Sequence, residues 1–74
     1  MLSGDNVEIS IVIPLLNEVE NLPELYDRLR DALSKLKRIH EIIFIDDGSI
    51  DGSFCVLKEI ASVDPNVQVI RFRR

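Results

Sequence analysis

Residues 41–53 read Glu-Ile-Ile-Phe-Ile-Asp-Asp-Gly-Ser-Ile-Asp-Gly-Ser, an apolar run that changes abruptly into a polar turn containing two glycines. The run is rich in β-branched residues and is nearly continuous, which favours a strand covered on both faces of a parallel sheet. Residues 8–13 repeat this pattern and are bounded by Pro14, so they are predicted to form a second strand of the same kind. Residues 66–72 alternate between apolar and polar side chains, which indicates a third strand nearer an edge.

Two amphipathic helices are predicted between these strands. Residues 21–36 carry leucine and tyrosine at helical spacing, with charged side chains on the other face. Asn21 is expected to cap this helix, and Glu24 three residues later completes the pattern of a capping box. A shorter helix is predicted over residues 53–62, and Pro65 ends it because proline disfavours helical geometry in the residue before it.

The resulting βαβαβ pattern predicts an α/β fold with a parallel sheet in the strand order 3-2-1, half of a doubly wound, three-layer fold. Right-handed crossovers that step in one direction place both helices on the same face of the sheet. The other face, rich in Ile and Val, then has nothing over it, and an exposed apolar patch of that kind normally marks an interface. Residues 1–74 are therefore interpreted as a single partial domain that forms a homo-oligomer through the open sheet face or belongs to something longer.

Composition narrows the class of protein. The chain has 74 residues, of which 46% are hydrophobic and 30% are charged, which excludes disorder caused by low hydrophobicity. A net charge of −4 argues against non-specific nucleic-acid binding, which needs Lys and Arg against phosphate. The longest apolar run, residues 11–16, is far shorter than the roughly 20 residues that span a bilayer. With one cysteine and no signal-peptide pattern at residues 1–7, a cytoplasmic location is expected.

The candidate site lies where the first two strands end. Ligands of parallel α/β sheets bind outside the carboxyl ends of the strands, and here those ends are the polar stretches 14–18 and 46–52. Asp46 and Asp47 are adjacent carboxylates, and each raises the cost of ionising the other. A metal ion, hydrogen-bond donors on a ligand, or the amino terminus of the next helix would each explain the pair.

Structural roles for the same residues stay open. Gly48 permits a tight turn with positive φ, and bonds to loop amides alone would account for Asp47. Asp51 or Ser53 can cap the second helix. For Asn17 and Glu18, shaping of the loop and contact with a ligand are equally compatible with the sequence.

Three known kinds of site do not fit these loops. Asp47, Ser49, Asp51 and Gly52 match four positions of an EF-hand, but Lys58 stands where the loop needs a glutamate and a strand precedes it. A phospho-acceptor domain needs its acidic pair after the first strand. A dinucleotide-binding turn needs glycines, and residues 14–21 contain none.

Residues 10–22 and 43–53 resemble the two opening signatures of family 2 glycosyltransferases. The first signature, Pro-x-x-Asn-Glu, matches residues 14–18, and the second, Asp-Asp-Gly-Ser-x-Asp, matches residues 46–51. Residues 67–74 resemble the family's third strand. Within the family, the Asn-Leu-Pro-Glu-Leu run at residues 21–25 is most similar to dolichyl- and undecaprenyl-phosphate sugar transferases. The resemblance implies the amino-terminal half of a GT-A, Rossmann-like nucleotide-binding fold.

The resemblance also implies which residues border the nucleotide: Pro14, Asn17, Glu18, Asp46, Asp47 and Ser49. It assigns Asp46 to hydrogen bonds from the base and Asp47 to the loop or the ribose. A carboxylate suits the first role because uracil and guanine both present N–H donors. The implied donor is a UDP- or GDP-sugar, and the implied acceptor is a polyprenyl phosphate or similar molecule at the cytoplasmic face of the membrane.

The family's machinery for the transfer step is not in this chain. Its Asp-x-Asp ligands for Mg²⁺ or Mn²⁺, its catalytic base and its acceptor site follow later strands, and no Asp-x-Asp occurs here. The 74 residues alone are therefore not expected to transfer sugar, and no catalytic or metal-ligating residue is predicted among them. The alternative interpretation is a non-catalytic α/β interaction module that uses its open sheet face.

Overall fold

The computed structural model describes residues 7–72 and shows the predicted alternation of strands and helices. The elements are β1 (Ile9–Leu15), α1 (Leu22–Leu36), β2 (His40–Asp46), α2 (Ser53–Val63) and β3 (Val67–Arg71). The three strands are parallel in the order β1-β2-β3, with β2 in the centre. This is the predicted 3-2-1 order read from the other edge, so the two polar strand ends lie side by side.

The core lies between the two helices and one face of the sheet. It consists of Leu15, Leu22, Leu33, Ile42, Phe44, Leu57 and Val67. Burial alternates along β1, because every second side chain points away from the helices. On the other face, Val12 is 54% exposed and Ile70 44% exposed. The predicted open apolar face is thus confirmed, whereas coverage of β1 on both faces is not found among residues 7–72.

Pro14 does not end β1, contrary to the sequence prediction. The strand continues to Leu15, and Pro14 lies opposite Ile45 of β2. Proline has no N–H to give to a sheet, but within residues 7–72 β1 is an edge strand, so its outer side needs no donor. The extra residues carry β1 as far as the end of β2.

The predicted capping box of α1 is not formed. Asn21 occupies the N-cap position with helical dihedral angles, and its side chain makes no capping bond. Its amide nitrogen Nδ2 instead donates to Glu18 Oε2 at 2.8 Å, while Glu24 pairs with Arg28 one turn along the helix. The start of α1 is held from outside, because the Glu18 carbonyl accepts from the backbone N–H groups of Asn21 and Leu22.

Candidate functional site

Two loops meet at the carboxyl ends of β1 and β2. The first loop, residues 16–21, leads from β1 to α1, and the second loop, residues 47–52, leads from β2 to α2. Both predicted signatures end up in these loops or at the strand ends beside them. Four hydrogen bonds cross from one loop to the other loop or to the start of α2.

Asn17 and Ser49 form the first half of this connection. The Asn17 N–H donates to Ser49 Oγ at 2.8 Å, and the Asn17 side-chain oxygen accepts from the Ile50 N–H at 2.9 Å. Asn17 has a φ of 51°, a left-handed conformation that asparagine tolerates better than most residues. The structure therefore gives Asn17 a physical role in shaping the loop that does not depend on a ligand.

Asp51 and Ser53 form the second half. Ser53 Oγ accepts from the Glu18 N–H at 3.0 Å, and Asp51 Oδ2 accepts from the Val19 N–H at 3.1 Å. Asp51 Oδ1 also accepts from the backbone and the hydroxyl of Ser53. The hydroxyl bond from Ser53 is the main reason that the pKa of Asp51 is lowered, with the backbone bonds acting in the same direction against desolvation.

Asp51 and Ser53 do more than the capping of α2 that the sequence predicts, because both also bond to the first loop. A cap of α2 by Asp51 or Ser53 explains the bonds between the two, but not the bonds to the first loop. The N-cap position itself is taken by Gly52, whose φ of 94° is accessible to glycine at little cost. The only sequence signal for the cross-loop role is polar side chains at both strand ends, because their partners are more than 30 residues away.

Asp46 and Asp47 occupy different environments although they are adjacent. Asp46 has no exposed surface, and its Oδ1 accepts from the Ser49 N–H at 2.8 Å. Among the described residues no hydrogen-bond partner is found for Asp46 Oδ2. Asp47 is half-buried, and its N–H donates to the Leu15 carbonyl, which extends the pairing of the two strands. The pair thus consists of a fully buried Asp46, which shapes the second loop, and a half-buried Asp47.

The other two predicted site residues lie at the rim. Pro14 is exposed, and its place in the strand register is one position before the end of β1. Glu18 is exposed, and its carboxylate accepts from Asn21 Nδ2. The structure therefore brings Asn17, Asp46 and Ser49 into one hydrogen-bonded cluster, with Pro14 and Glu18 beside it.

The residues present do not form a metal site. Between residues 7 and 72, no group of three His, Cys, Asp or Glu side chains is arranged to hold a metal ion. The adjacent pair at the end of β2 does not supply one, since Asp46 is committed to Ser49 on one side and enclosed on the other. No chemical step through a metal follows from this part of the chain.

A groove of about 760 Å³ lies at the end of the sheet that is opposite to these two loops. It runs between α1 and the turn that leads into β3, and none of the signature residues lines it. On its wall, the Tyr26 hydroxyl donates to Asp64 Oδ2 at 2.5 Å. Burial and this bond raise the pKa of Tyr26 to about 12. The groove contact fastens α1 to the end of α2 and is structural.

Within residues 7–72, neither α1 nor α2 is long and apolar enough to cross a bilayer.

Comparison with known proteins agrees with the resemblance that the two sequence signatures show. The family model described as glycosyl transferase family 2 matches residues 10–74. The chain is 38% identical over 69 residues, 93% of its length, to the uncharacterized glycosyltransferase YkcC of Bacillus subtilis. It is 48% identical over 64 residues, 84% of its length, to an undecaprenyl-phosphate 4-deoxy-4-formamido-L-arabinose transferase of Pseudomonas fluorescens. A protein with the same name from Proteus mirabilis is 41% identical over 59 residues, 80% of this chain. The matched regions cover 21%, 19% and 18% of these relatives, so the chain spans about a fifth of their length.

Proposed function

The chain belongs to glycosyl transferase family 2, and we propose that residues 14–53 form the nucleotide-recognition part of a sugar transferase. The observation that carries this proposal is the joined pair of loops, which holds two adjacent carboxylates at the end of the central strand. A ligand that enters between prearranged loops loses less binding energy to ordering them. The half-site is therefore built before a nucleotide arrives.

We propose that one of the two carboxylates contacts the nucleotide base and that the other supports the second loop. The resemblance assigns the base to Asp46, but a residue with no exposed surface cannot touch a ligand without a movement of the loop. We therefore propose that Asp47, which is half-buried rather than fully buried, makes the contact with an N–H donor of the base. Asp46 acts through Ser49, whose N–H it holds at 2.8 Å. Asn17, Glu18 and Pro14 border the bound nucleotide.

The proposed reaction moves a sugar from UDP or GDP to a polyprenyl phosphate. The names of two relatives, both undecaprenyl-phosphate sugar transferases, support a lipid-phosphate acceptor. Such an acceptor resides in a membrane, and the proposed place of reaction is its cytoplasmic face. The Mg²⁺ or Mn²⁺ ligands, the catalytic base and the acceptor site are proposed to lie outside residues 1–74, so this chain by itself does not transfer sugar.

Titration of the chain with UDP and then GDP, followed by nitrogen–proton correlation NMR, tests nucleotide recognition. Shifts of the amides of residues 17–18 and 47–49 are expected for the preferred base, with and without magnesium. Asp47→Asn replaces one acceptor by a donor, and loss of a charged hydrogen bond of about 1.5–3 kcal/mol weakens binding by roughly 10- to 100-fold. Asp27→Asn, at an exposed position on α1, is the matched control. Unchanged amides with both nucleotides would refute the proposal.

The open sheet face supports a second, separable property, self-association. Its apolar part lies toward the carboxyl ends of the strands and consists of Val12, Pro14, Ile43, Ile45 and Ile70. The other end is polar, because Glu41 accepts from Ser10 and Gln68. We propose that two copies pair through the apolar part. Sedimentation should show dimers that Val12→Glu abolishes and that Glu59→Gln, on α2, leaves intact, and a monomer at all concentrations would contradict this.

A further inference from the structure

Arg71 lies beside the second loop although neither signature contains it. It is the last residue of β3, in register with Asp46 of the central strand. Its guanidinium carbon is 4.5 Å from the centre of the Phe54 ring, in the first turn of α2. One of its nitrogen atoms, Nη2, donates to the backbone carbonyl of Ser49 at 3.4 Å. Arg71 thus joins β3, α2 and the second loop.

The residue that Arg71 contacts is the centre of the loop connection. Ser49 is 3% exposed, and its three polar groups are all engaged. Its N–H donates to Asp46, its hydroxyl accepts from Asn17, and its carbonyl accepts from Arg71. A displacement of Ser49 therefore alters the first loop, the second loop and the buried carboxylate together.

We propose that Arg71 is a positioning residue for the nucleotide loop, acting through Ser49 and held in place by Phe54. The inference rests on the proposed nucleotide role of residues 47–49. Arginine suits this task because its flat guanidinium can stack on a ring and donate a hydrogen bond from its edge at the same time. Lysine, a compact point charge, cannot reproduce both contacts in that geometry.

Lys58 provides a control for the contact between Arg71 and the Phe54 ring. The Lys58 ammonium also lies over this ring, 5.6 Å from its centre, but Lys58 belongs to α2. Replacing Lys58 removes a cation from the same ring without touching the bond between Arg71 and Ser49. The pair of variants Arg71→Met and Lys58→Met therefore separates positioning of Ser49 from a general effect of charge on Phe54.

The first measurement is the amide resonance of Ser49 and of Asn17 in the chain without nucleotide. We expect both resonances to shift in Arg71→Met, in Phe54→Leu and in the double variant. We expect neither resonance to shift in Lys58→Met. Because the two residues act in one chain of contacts, the double variant should shift them no further than the larger single effect. Phe54→Tyr keeps the aromatic ring, so the Ser49 and Asn17 amide resonances should stay at their wild-type positions in this variant. A Ser49 resonance that moves no more in Arg71→Met than in Lys58→Met overturns the proposal.

The second measurement is the dissociation constant for UDP or GDP. Loss of a cation–π contact at an exposed site predicts binding about two- to fivefold weaker in Arg71→Met and Phe54→Leu. Unaltered affinity in Arg71→Met, while wild type binds, overturns the positioning role and leaves the proposed function standing. If wild type binds neither nucleotide, the proposed function fails, and the amide resonances alone decide whether Arg71 positions Ser49.

Discussion

Replacing Ser49 by alanine removes the hydroxyl that joins the two loops. That hydroxyl accepts from the Asn17 N–H at 2.8 Å, while the Ser49 N–H that holds Asp46 is unaffected. A buried donor left without a partner costs about 1–3 kcal/mol. Asn17 itself is exposed, so water can reach part of the site and the lower end, about 1 kcal/mol, applies.

The same figure sets the expected loss of nucleotide binding. Suppose that nucleotide binds only when the two loops are joined. Destabilising the joined state by about 1 kcal/mol then lowers the ratio of folded to unfolded chain by up to about fivefold, and the apparent nucleotide affinity by up to the same factor. Urea unfolding followed by circular dichroism measures the first quantity, and NMR titration with the preferred nucleotide measures the second.

Ser62→Ala is the matched control for this experiment. The Ser62 hydroxyl is exposed and donates to the Glu59 carbonyl within α2, at 2.6 Å. Its removal should change the free energy of unfolding by less than about 0.5 kcal/mol and leave nucleotide affinity unchanged. If Ser49→Ala behaves like Ser62→Ala in both assays, the cross-loop bond does not hold the site together and the reasoning is wrong.

Three further results are expected. Tyr26, the single tyrosine, should ionise near pH 12 in the folded chain by ultraviolet absorbance and near 10.0 in denaturant. Since its folded pKa is the higher one, its stabilising effect is complete below pH 10.0 and is lost between there and about 12, and a folded midpoint near 10 would contradict the bond to Asp64. The lowered pKa of Asp51 means that its bond to Val19 persists above pH 3.8 and is lost as the pH falls through that lowered value; the Val19 amide resonance reports this, and a change near pH 5 would count against it. Phe44→Ala, at a fully buried position of β2, should cost about 3–5 kcal/mol and unfold most of so small a domain, as circular dichroism would show, whereas near-native stability would mean that the core lies elsewhere.

Much of this architecture follows from local patterns. Apolar β-branched runs, helical spacing and Pro65 predict the five elements, because each depends on neighbours within a few positions. The βαβ connections predict parallel strands, and with them the meeting of both polar strand ends at one edge. Pro14 shows the limit of local rules, since a proline ends a central strand but is tolerated at the edge that β1 occupies.

The start of α1 shows the same limit for side chains. Asn21 and Glu24 have the spacing of a capping box, yet each finds a different partner, Glu18 and Arg28. Asn21 has helical dihedral angles rather than the extended ones of a capping residue. The turn before the helix brings Glu18 Oε2 within 2.8 Å of Asn21 Nδ2.

The sequence by itself determined the βαβαβ order, the open apolar face and the two signatures that mark the family. Only the tertiary structure decided how the signature residues are used. Asn17 and Ser49 are 32 residues apart, and their contact exists because parallel pairing sets the ends of β1 and β2 side by side. The structure also buries Asp46, which shares a face of β2 with Ile42 and Phe44, and leaves Asp47 half-buried, because the helices pack on that one face. Periodicity encodes which face a residue takes, whereas the partner of a polar group depends on the register of strands distant in sequence.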